Sequence, residues 1–278
     1  VLVEPDVAFV ILARNEEGIL GETLLDLSTY LTANESVHVV ADHCDDNTAA
    51  VARQADVEVW ERNGDQPSGK GAALGWWLQQ TGDQPPDQII VVLDADSRVS
   101  PGFPDALRAA FREDTRVLQA HILPSLVRKA PGALVSALSE LSEQYVDDRI
   151  RGWLGWPVRL RGTGMAFRRE VLHAHARELH TLVEDVELSL LLAANGEKIV
   201  PARELTLFDP KPVSNGGVIN QRARWLRGQV QVWRDYGPQI GRIIRQGLPG
   251  ISLLVSLLLK PKTLVWLGGM VISMLLLA

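Results

Sequence analysis

The chain has 278 residues, 22% charged and 46% hydrophobic, with 23 Gly and 15 Pro, a balance that excludes disordered, collagen-like and low-complexity chains. Its single cysteine, Cys44, excludes a disulfide scaffold and a Cys-rich zinc site. The net charge of −6, from 28 basic and 34 acidic residues, argues against a nucleic-acid binder.

Short apolar, β-branched runs at 7–13, 37–42, 57–60 and 89–94 read as buried parallel strands. Between them, 17–31, 47–54 and 69–80 carry helical patterns with caps or breakers. Such alternation predicts an α/β fold: a doubly wound sheet with right-handed crossovers, whose ligands bind beyond the carboxyl ends of the strands. Asn15-Glu16, Asp42 and Asp94-Ala95-Asp96 all stand at those ends. After Pro101 the spacing predicts a helix over 103–111, an extended run over 117–123 and an amphipathic helix over 131–150. A strand is expected over 160–167, interrupted by Gly162-Thr163-Gly164, and a helix over 186–195 that stops at Asn195-Gly196. Residues 209–217, with two Pro, two Gly, Ser and Asn, read as a loop and a candidate lid, and 220–236 as a basic, Trp-bearing helix.

The charge is uneven. Residues 1–200 carry 18 Lys/Arg against 31 Asp/Glu, a net −13, whereas 201–278 carry 10 against 3, a net +7. The basic part runs into two apolar stretches, 248–259 and 263–278, separated by Lys260-Pro261-Lys262. Each falls short of the ~20 residues that span a bilayer. We expect the first to lie in a membrane interface and the second to begin a transmembrane helix in a longer protein. The rival is a helical hairpin that completes the core. Lys and Arg flanking such a segment favour the cytoplasmic face, and we expect the membrane to be a bacterial inner or plasma membrane.

Several clusters carry chemistry. In Asp94-Ala95-Asp96, strand alternation turns both carboxylates to one side near solvent, and oxygen-only ligation suits Mg²⁺ or Mn²⁺ bridging a diphosphate. Asp-x-Asp also occurs in plain solvated turns; here it ends an apolar strand. Asp42 could bond a nucleobase or a ribose, whereas Asp45-Asp46-Asn47 reads as a helix cap. Lys70 begins a helix after Gly69, which makes an anion site or a surface lysine. Glu184-Asp185 opens a helix, as dipole stabilisation or as a general base. Gln221, Arg224 and Trp225 fall at i, i+3 and i+4, offering an amide, a guanidinium and an indole on one face: a diphosphate clamp beside a sugar platform, or a basic helix on anionic lipid.

The order of these motifs resembles glycosyltransferase family 2. The resemblance rests on Ala13-Arg14-Asn15-Glu16-Glu17, Asp42, Gly69-Lys70-Gly71, Asp94-Ala95-Asp96, Gly162-Thr163-Gly164, Glu184-Asp185 and Gln221-x-x-Arg224-Trp225. It covers about residues 7–236 and is nearest the membrane-associated branch of cellulose, hyaluronan and poly-N-acetylglucosamine synthases and glycolipid glycosyltransferases. It implies a GT-A type, Rossmann-like, mixed and mainly parallel sheet over 1–246, with a nucleotide-binding half to 120 and an acceptor-binding half beyond. It also implies an inverting transfer from a nucleotide-sugar donor, such as a UDP-sugar, to a lipid or glycan acceptor. By that resemblance Asn15, Glu16, Asp42, Lys70 and Asp94 line the nucleotide pocket. Asp96, with Asp94, ligates Mg²⁺ or Mn²⁺, and Asp185 is the base with Glu184 beside it. Gln221, Arg222 and Arg224 face the diphosphate, and Gly162, Thr163, Gly164 and Trp225 the acceptor. Two positions depart from the family pattern: Val183 replaces a small polar residue, and Ala13-Arg14 replaces Pro and an aromatic. A processive polysaccharide synthase is the alternative; a nucleotidyltransferase or a non-catalytic scaffold is more remote.

Overall fold

A computed structural model describes residues 5–32, 34–65, 67–111, 115–125, 131–177, 179–210 and 215–258. In chain order its elements are β1 (Val7–Ala13), α1 (Leu20–Ser28), β2 (Glu35–Asp42), α2 (Thr48–Arg53), β3 (Glu58–Arg62), α3 (Lys70–Gln80), β4 (Ile89–Asp94) and β5 (Arg98–Val99). There follow α4 (Phe103–Ala110), β6 (Val117–Ser125), α5 (Pro131–Ser142), a π-helical turn (Glu143–Asp147), α6 (Asp148–Trp153), β7 (Met165–Arg168) and α7 (Arg169–His175). The chain continues through α8 (Glu184–Ala194), β8 (Ile199–Pro210), α9 (Asn215–Asp235), α10 (Gly237–Ile244) and α11 (Leu248–Leu258).

The eight strands form one mixed sheet in the order β3-β2-β1-β4-β7-β6-β8-β5. The first four are parallel, β7 runs antiparallel to both β4 and β6, and β8 lies parallel to β6. β1 shows why this half is buried on both faces. Its odd residues Val7, Phe9 and Ile11 join a cluster with α1 and α4, and its even residues Ala8, Val10 and Leu12 join one with α3, α7 and α8. The strand order turns back between β1 and β4, which opens a crevice beyond their carboxyl ends. A third cluster unites α8 with α9, α10 and α11. Helix α8 is therefore apolar on two sides, with Leu188 and Leu192 toward the sheet and Val186, Leu190 and Ala193 toward the C-terminal helices.

The second half corrects several expectations. Of 160–167 only Met165 onward is strand, because Gly162 and Gly164 take φ of +83° and +62° and hold the preceding residues in a loop. The segment 131–150 is interrupted by the π-helical turn rather than being one helix. Residues 209–210 end a twelve-residue strand and 215–217 begin α9, so the described parts of the expected loop are ordered elements; 211–214 lie outside the described residues. The stretch expected to lie in a membrane interface is a helix, α11, whose inner face is core. Leu253 and Leu257 are fully buried, and Gln229 Nε2 donates to Leu257 O. Residues 259–278, with Lys260-Pro261-Lys262 and the expected transmembrane start, lie outside the described residues. Among the described residues no helix is long and apolar enough to cross a membrane.

The Gly162-Thr163-Gly164 loop is held from beneath. A Cβ at Gly164 would stand 2.1 Å from Leu207 Cδ2 and 3.0 Å from Ala120 Cβ, and the residue is left-handed. Steric overlap and the φ penalty together should make Gly164→Ala destabilising by about 2–4 kcal/mol. Chemical denaturation measures it; a loss below about 1 kcal/mol would mean that the loop relaxes and that Gly164 is dispensable to the fold.

Candidate active site

Beyond the ends of β1 and β4 the crevice gathers most of the charged residues singled out above. Asp94 ends β4, and Asp96 follows on the turn into β5. From the far side of the sheet β8 delivers Asp209. The carboxylate oxygens of these three residues lie within 4.8 Å of one another, and all three side chains are half-buried. Three hard oxygen donors on rigid strand ends are the ligand set that Mg²⁺ or Mn²⁺ takes. The sequence reading missed Asp209. Its signal was alternation: Leu205 and Leu207 are fully buried, so Asp209 falls on the same face two residues further.

Crowding of like charges perturbs this group. Desolvation first, then Asp209 and Asp94, push Asp96 from its ordinary 3.8 up to about 6. Lys70, at the first position of α3, donates to Asp94 Oδ1 at 2.6 Å. Burial would lower the Lys70 ammonium, but Asp94 and Glu184 outweigh it and hold it above its usual range. Arg224 acts in the opposite sense on Lys70, which brings the exposed guanidinium on α9 into the electrostatics of the same site. Glu16 is also raised, by desolvation before the opposing pull of Lys70.

The opposite wall is the start of α8. Its first turn packs on that of α3, Gly71 against Glu184 and Leu179. Desolvation, with Asp185 and Asp94 adding to it, raises Glu184 to about 7 against the pull of Lys70. Asp185 is half-buried beside it. Burial would lower Arg159, but Glu143, then Asp185 and Asp148, hold it above its usual range, so the acidic turn has a buried cationic neighbour. Ser189 Oγ fixes this junction, donating to Asp185 O at 2.6 Å and accepting Leu160 N–H at 2.9 Å. A third acid in the first turn of α8, Glu187, is structural. Glu187 is fully buried and accepts Thr181 N–H at 2.9 Å and the Tyr236 hydroxyl. Val183, where a polar residue was expected, is also buried, and Gly228 of α9 packs against it so closely that a Cβ there would stand 2.7 Å from its methyls.

The remaining expected residues divide. Thr163 Oγ1 accepts Asp94 N–H at 3.1 Å and lies 2.9 Å from Ser97 Oγ, so this side chain braces the metal-side turn. Gln119 Nε2 donates to Thr163 O at 3.0 Å, and its Oε1 accepts Arg161 N–H at 2.8 Å, holding the loop beside Glu184. Asn15 is left-handed, and its Oδ1 accepts Asp45 N–H at 2.8 Å, which stitches the β1 and β2 loops together. Asp42 is buried: Oδ1 meets the guanidinium of Arg62 and His43 Nδ1, and Oδ2 accepts Gly69 N–H at 2.9 Å. Arg62 Nη2 also donates to Pro67 O at 2.6 Å. Sequence reading missed this clamp, which closes the turn delivering Lys70. Trp225 is partly buried against the cluster holding Val183 and Val186. Gln221 and Arg222 belong to α9, and their side chains lie outside the described residues.

Comparison with known proteins places this arrangement. A mannosyltransferase from Pyrobaculum calidifontis, solved in complex with GDP-Man and Mn²⁺, is similar in structure with a TM-score of 0.61 at 16% identity, over 98% of this chain and 81% of that one. Glucosyl-3-phosphoglycerate synthase from Mycobacterium tuberculosis, in complex with Mn²⁺, UDP and phosphoglyceric acid, gives 0.54 at 18% identity over 83% and 78%. S. aureus TarS gives 0.53 at 12% over 93% and 73%. At such identities the likeness is one of fold, the GT-A-like mixed α/β sheet. No curated protein matches the chain. The family model described as glycosyltransferase like family 2 matches residues 5–228, from β1 into the helix carrying Arg224 and Trp225, and the chain belongs to that family of enzymes.

Proposed function

We propose that this glycosyltransferase moves a sugar, with inversion, from a nucleoside-diphosphate sugar to a hydroxyl of a lipid or glycan acceptor at a membrane. One observation carries the reading: three converging carboxylates, and Lys70 bonded to one of them, adjoin the acidic first turn of α8. Asp94, Asp96 and Asp209 would hold Mg²⁺ or Mn²⁺, as the complexes of the solved neighbours with Mn²⁺ support. A cation bound there supplies Lewis-acid neutralisation of the diphosphate.

The chain's own residues do the rest. Lys70 and Arg224 place positive charge where the leaving diphosphate becomes more negative. Asp185 takes the proton from the acceptor hydroxyl as it attacks the anomeric carbon from the face opposite the diphosphate, which inverts the configuration. Holding donor and acceptor in one crevice replaces a bimolecular encounter by a single oriented step. A UDP-sugar is the donor we favour, since UDP is bound in the solved glucosyl-3-phosphoglycerate synthase complex; GDP-mannose is the alternative that the mannosyltransferase supports.

The test is release of nucleoside diphosphate from UDP- and GDP-sugars in the presence of Mn²⁺ and a polyprenol or oligosaccharide acceptor. No release from any donor would sink the reading, and release of free pyrophosphate would replace it by nucleotidyl transfer. Affinity for the cation should also depend on pH. Asp96 is raised to about 6, so the metal-free cleft holds a proton that a cation must displace. Mn²⁺ affinity should rise as pH passes from about 5 to about 7 and flatten above. Stability of the metal-free protein runs the other way. A carboxyl with a higher pKa folded than unfolded binds more protons in the native state, so stability falls as pH rises from 3.8 through about 6, and through about 7 for Glu184. Thermal melts with and without Mn²⁺ across this range read both effects.

A further inference from the structure

Helix α11 is core on its inner face, yet its outer face is apolar as well. Leu248, Ile251 and Val255, spaced i, i+3 and i+7, are exposed. Two neighbouring elements repeat the pattern. In the π-helical turn and α6 it is Val146, Ile150 and Trp153, with Trp153 86% exposed. In α9 it is Leu226, Val230 and Trp233, with Val230 67% exposed. Helix α11 touches both: Arg151 Nη2 on α6 donates to Ser252 O at 2.9 Å and to Ser252 Oγ at 2.8 Å, and Gln229 of α9 donates to Leu257 O. Nine large apolar side chains thus stand exposed on adjoining helices, more than scattered surface residues account for.

Around α9 and α11 the charge is almost all positive, and the acids beside the α6 stripe, Glu143, Asp147 and Asp148, are paired with Arg159, Arg151 and Arg161. Residues 215–258 hold six arginines and a single acidic residue, Asp235. Arg227, Arg242 and Arg245 are exposed there, as is Arg149 on α6. Exposed Trp and aliphatic stripes flanked by Arg are what an interfacial helix presents to acyl chains and anionic headgroups, and a soluble protein partner would not require the excess of arginine. The geometry points to a membrane-docking face made of α6, α9 and α11, which seats the enzyme on an anionic bilayer through Trp153, Trp233 and the α11 stripe. Helix α11 then has two roles on two sides, core toward α8 and lipid contact outward, so core packing and interfacial docking are not alternatives. The reading of a membrane-borne acceptor gives this contact its purpose, since α9 also carries Arg224, whose charge reaches Lys70 in the crevice; the contact itself is measurable without sugar transfer.

Removing α11 would confound the measurement, because it strips Leu253, Leu254, Leu257 and Leu258 from the third core cluster. Surface substitutions keep that core. The full chain is sedimented with vesicles of phosphatidylcholine plus phosphatidylglycerol, and with phosphatidylcholine alone, beside the double variant Trp153→Asp/Trp233→Asp and the variant Val255→Asp. The wild type should bind the anionic vesicles, more weakly at high salt, and each variant should lose at least about tenfold in partitioning. Affinity for nucleoside diphosphate and Mn²⁺ should not change, which shows the variants folded. Equal binding by wild type and variants overturns the docking face. So does a wild type that binds neither vesicle; light scattering then tells a second copy of the chain from residues 259–278 folding over the stripes. Nucleoside-diphosphate release with a soluble acceptor is scored in parallel, so loss of docking and failure of the transferase reading remain distinct results.

Discussion

Asp185→Asn should leave donor binding within a few-fold of wild type and lower turnover by about 10²–10⁴, the usual worth of a positioned general base. The carboxylate is half-buried on the first turn of α8, behind a backbone fixed by Ser189 and Leu160. Removing its charge forfeits a helix-dipole interaction of about 0.3–1 kcal/mol and part of the charge facing Arg159, which keeps its ion pair with Glu143, so the fold should survive. Glu184→Gln is the necessary companion. Glu184 is desolvated, raised to about 7 and opposed by Lys70, which suits it to shaping the pocket beside the base. Steady-state kinetics with saturating donor separates the two. If Asp185→Asn keeps its turnover while Glu184→Gln loses it, the base is Glu184 and not Asp185. If neither matters, the proton leaves by another route.

The first half of this protein is readable because its strands obey a simple rule. β1 and β4 are buried on both faces, so they appear as unbroken apolar runs, and the polar residue that ends each run is held at the crevice. Asp94 and Asp96 were legible for that reason. The second half obscures the same chemistry. β8 carries Pro201, Arg203 and Glu204 in its middle, and its register against β6 slips there, Ala120 facing Ala202 but His121 facing Thr206. The extra residues break the alternation, which hides the strand and makes Asp209 read as the start of a loop. The Asp42–Arg62 clamp was hidden differently. Its partners stand twenty residues apart on adjacent strands, and only the parallel register of β2 and β3 brings them level. Asp42 was recognisable as important from its place at a strand end, whereas the arginine it holds was not.

That same strand sets up the sharpest test of the cation site. Asp96→Asn and Asp209→Asn should each abolish the Mn²⁺-dependent part of nucleoside-diphosphate binding, which calorimetric titration with and without the cation measures. The two residues reach the site from opposite directions, one from the turn after β4 and one from the end of β8, so an effect at Asp209 tests the folded arrangement and not just the Asp94-Ala95-Asp96 motif. Stability should move little or upward, because each change removes one negative charge from a crowded, partly desolvated group and leaves the core clusters untouched. A rise in melting temperature together with loss of cation-dependent binding is the signature of a ligand held under electrostatic strain. A lower melting temperature with unchanged binding would make Asp209 a structural strand-end residue and leave the cation to Asp94 and Asp96. Neutralising Asp209 should also lower the Asp96 pKa, since Asp209 is the neighbouring charge that raises it most, so the pH midpoint for cation binding should move down in Asp209→Asn if any binding remains.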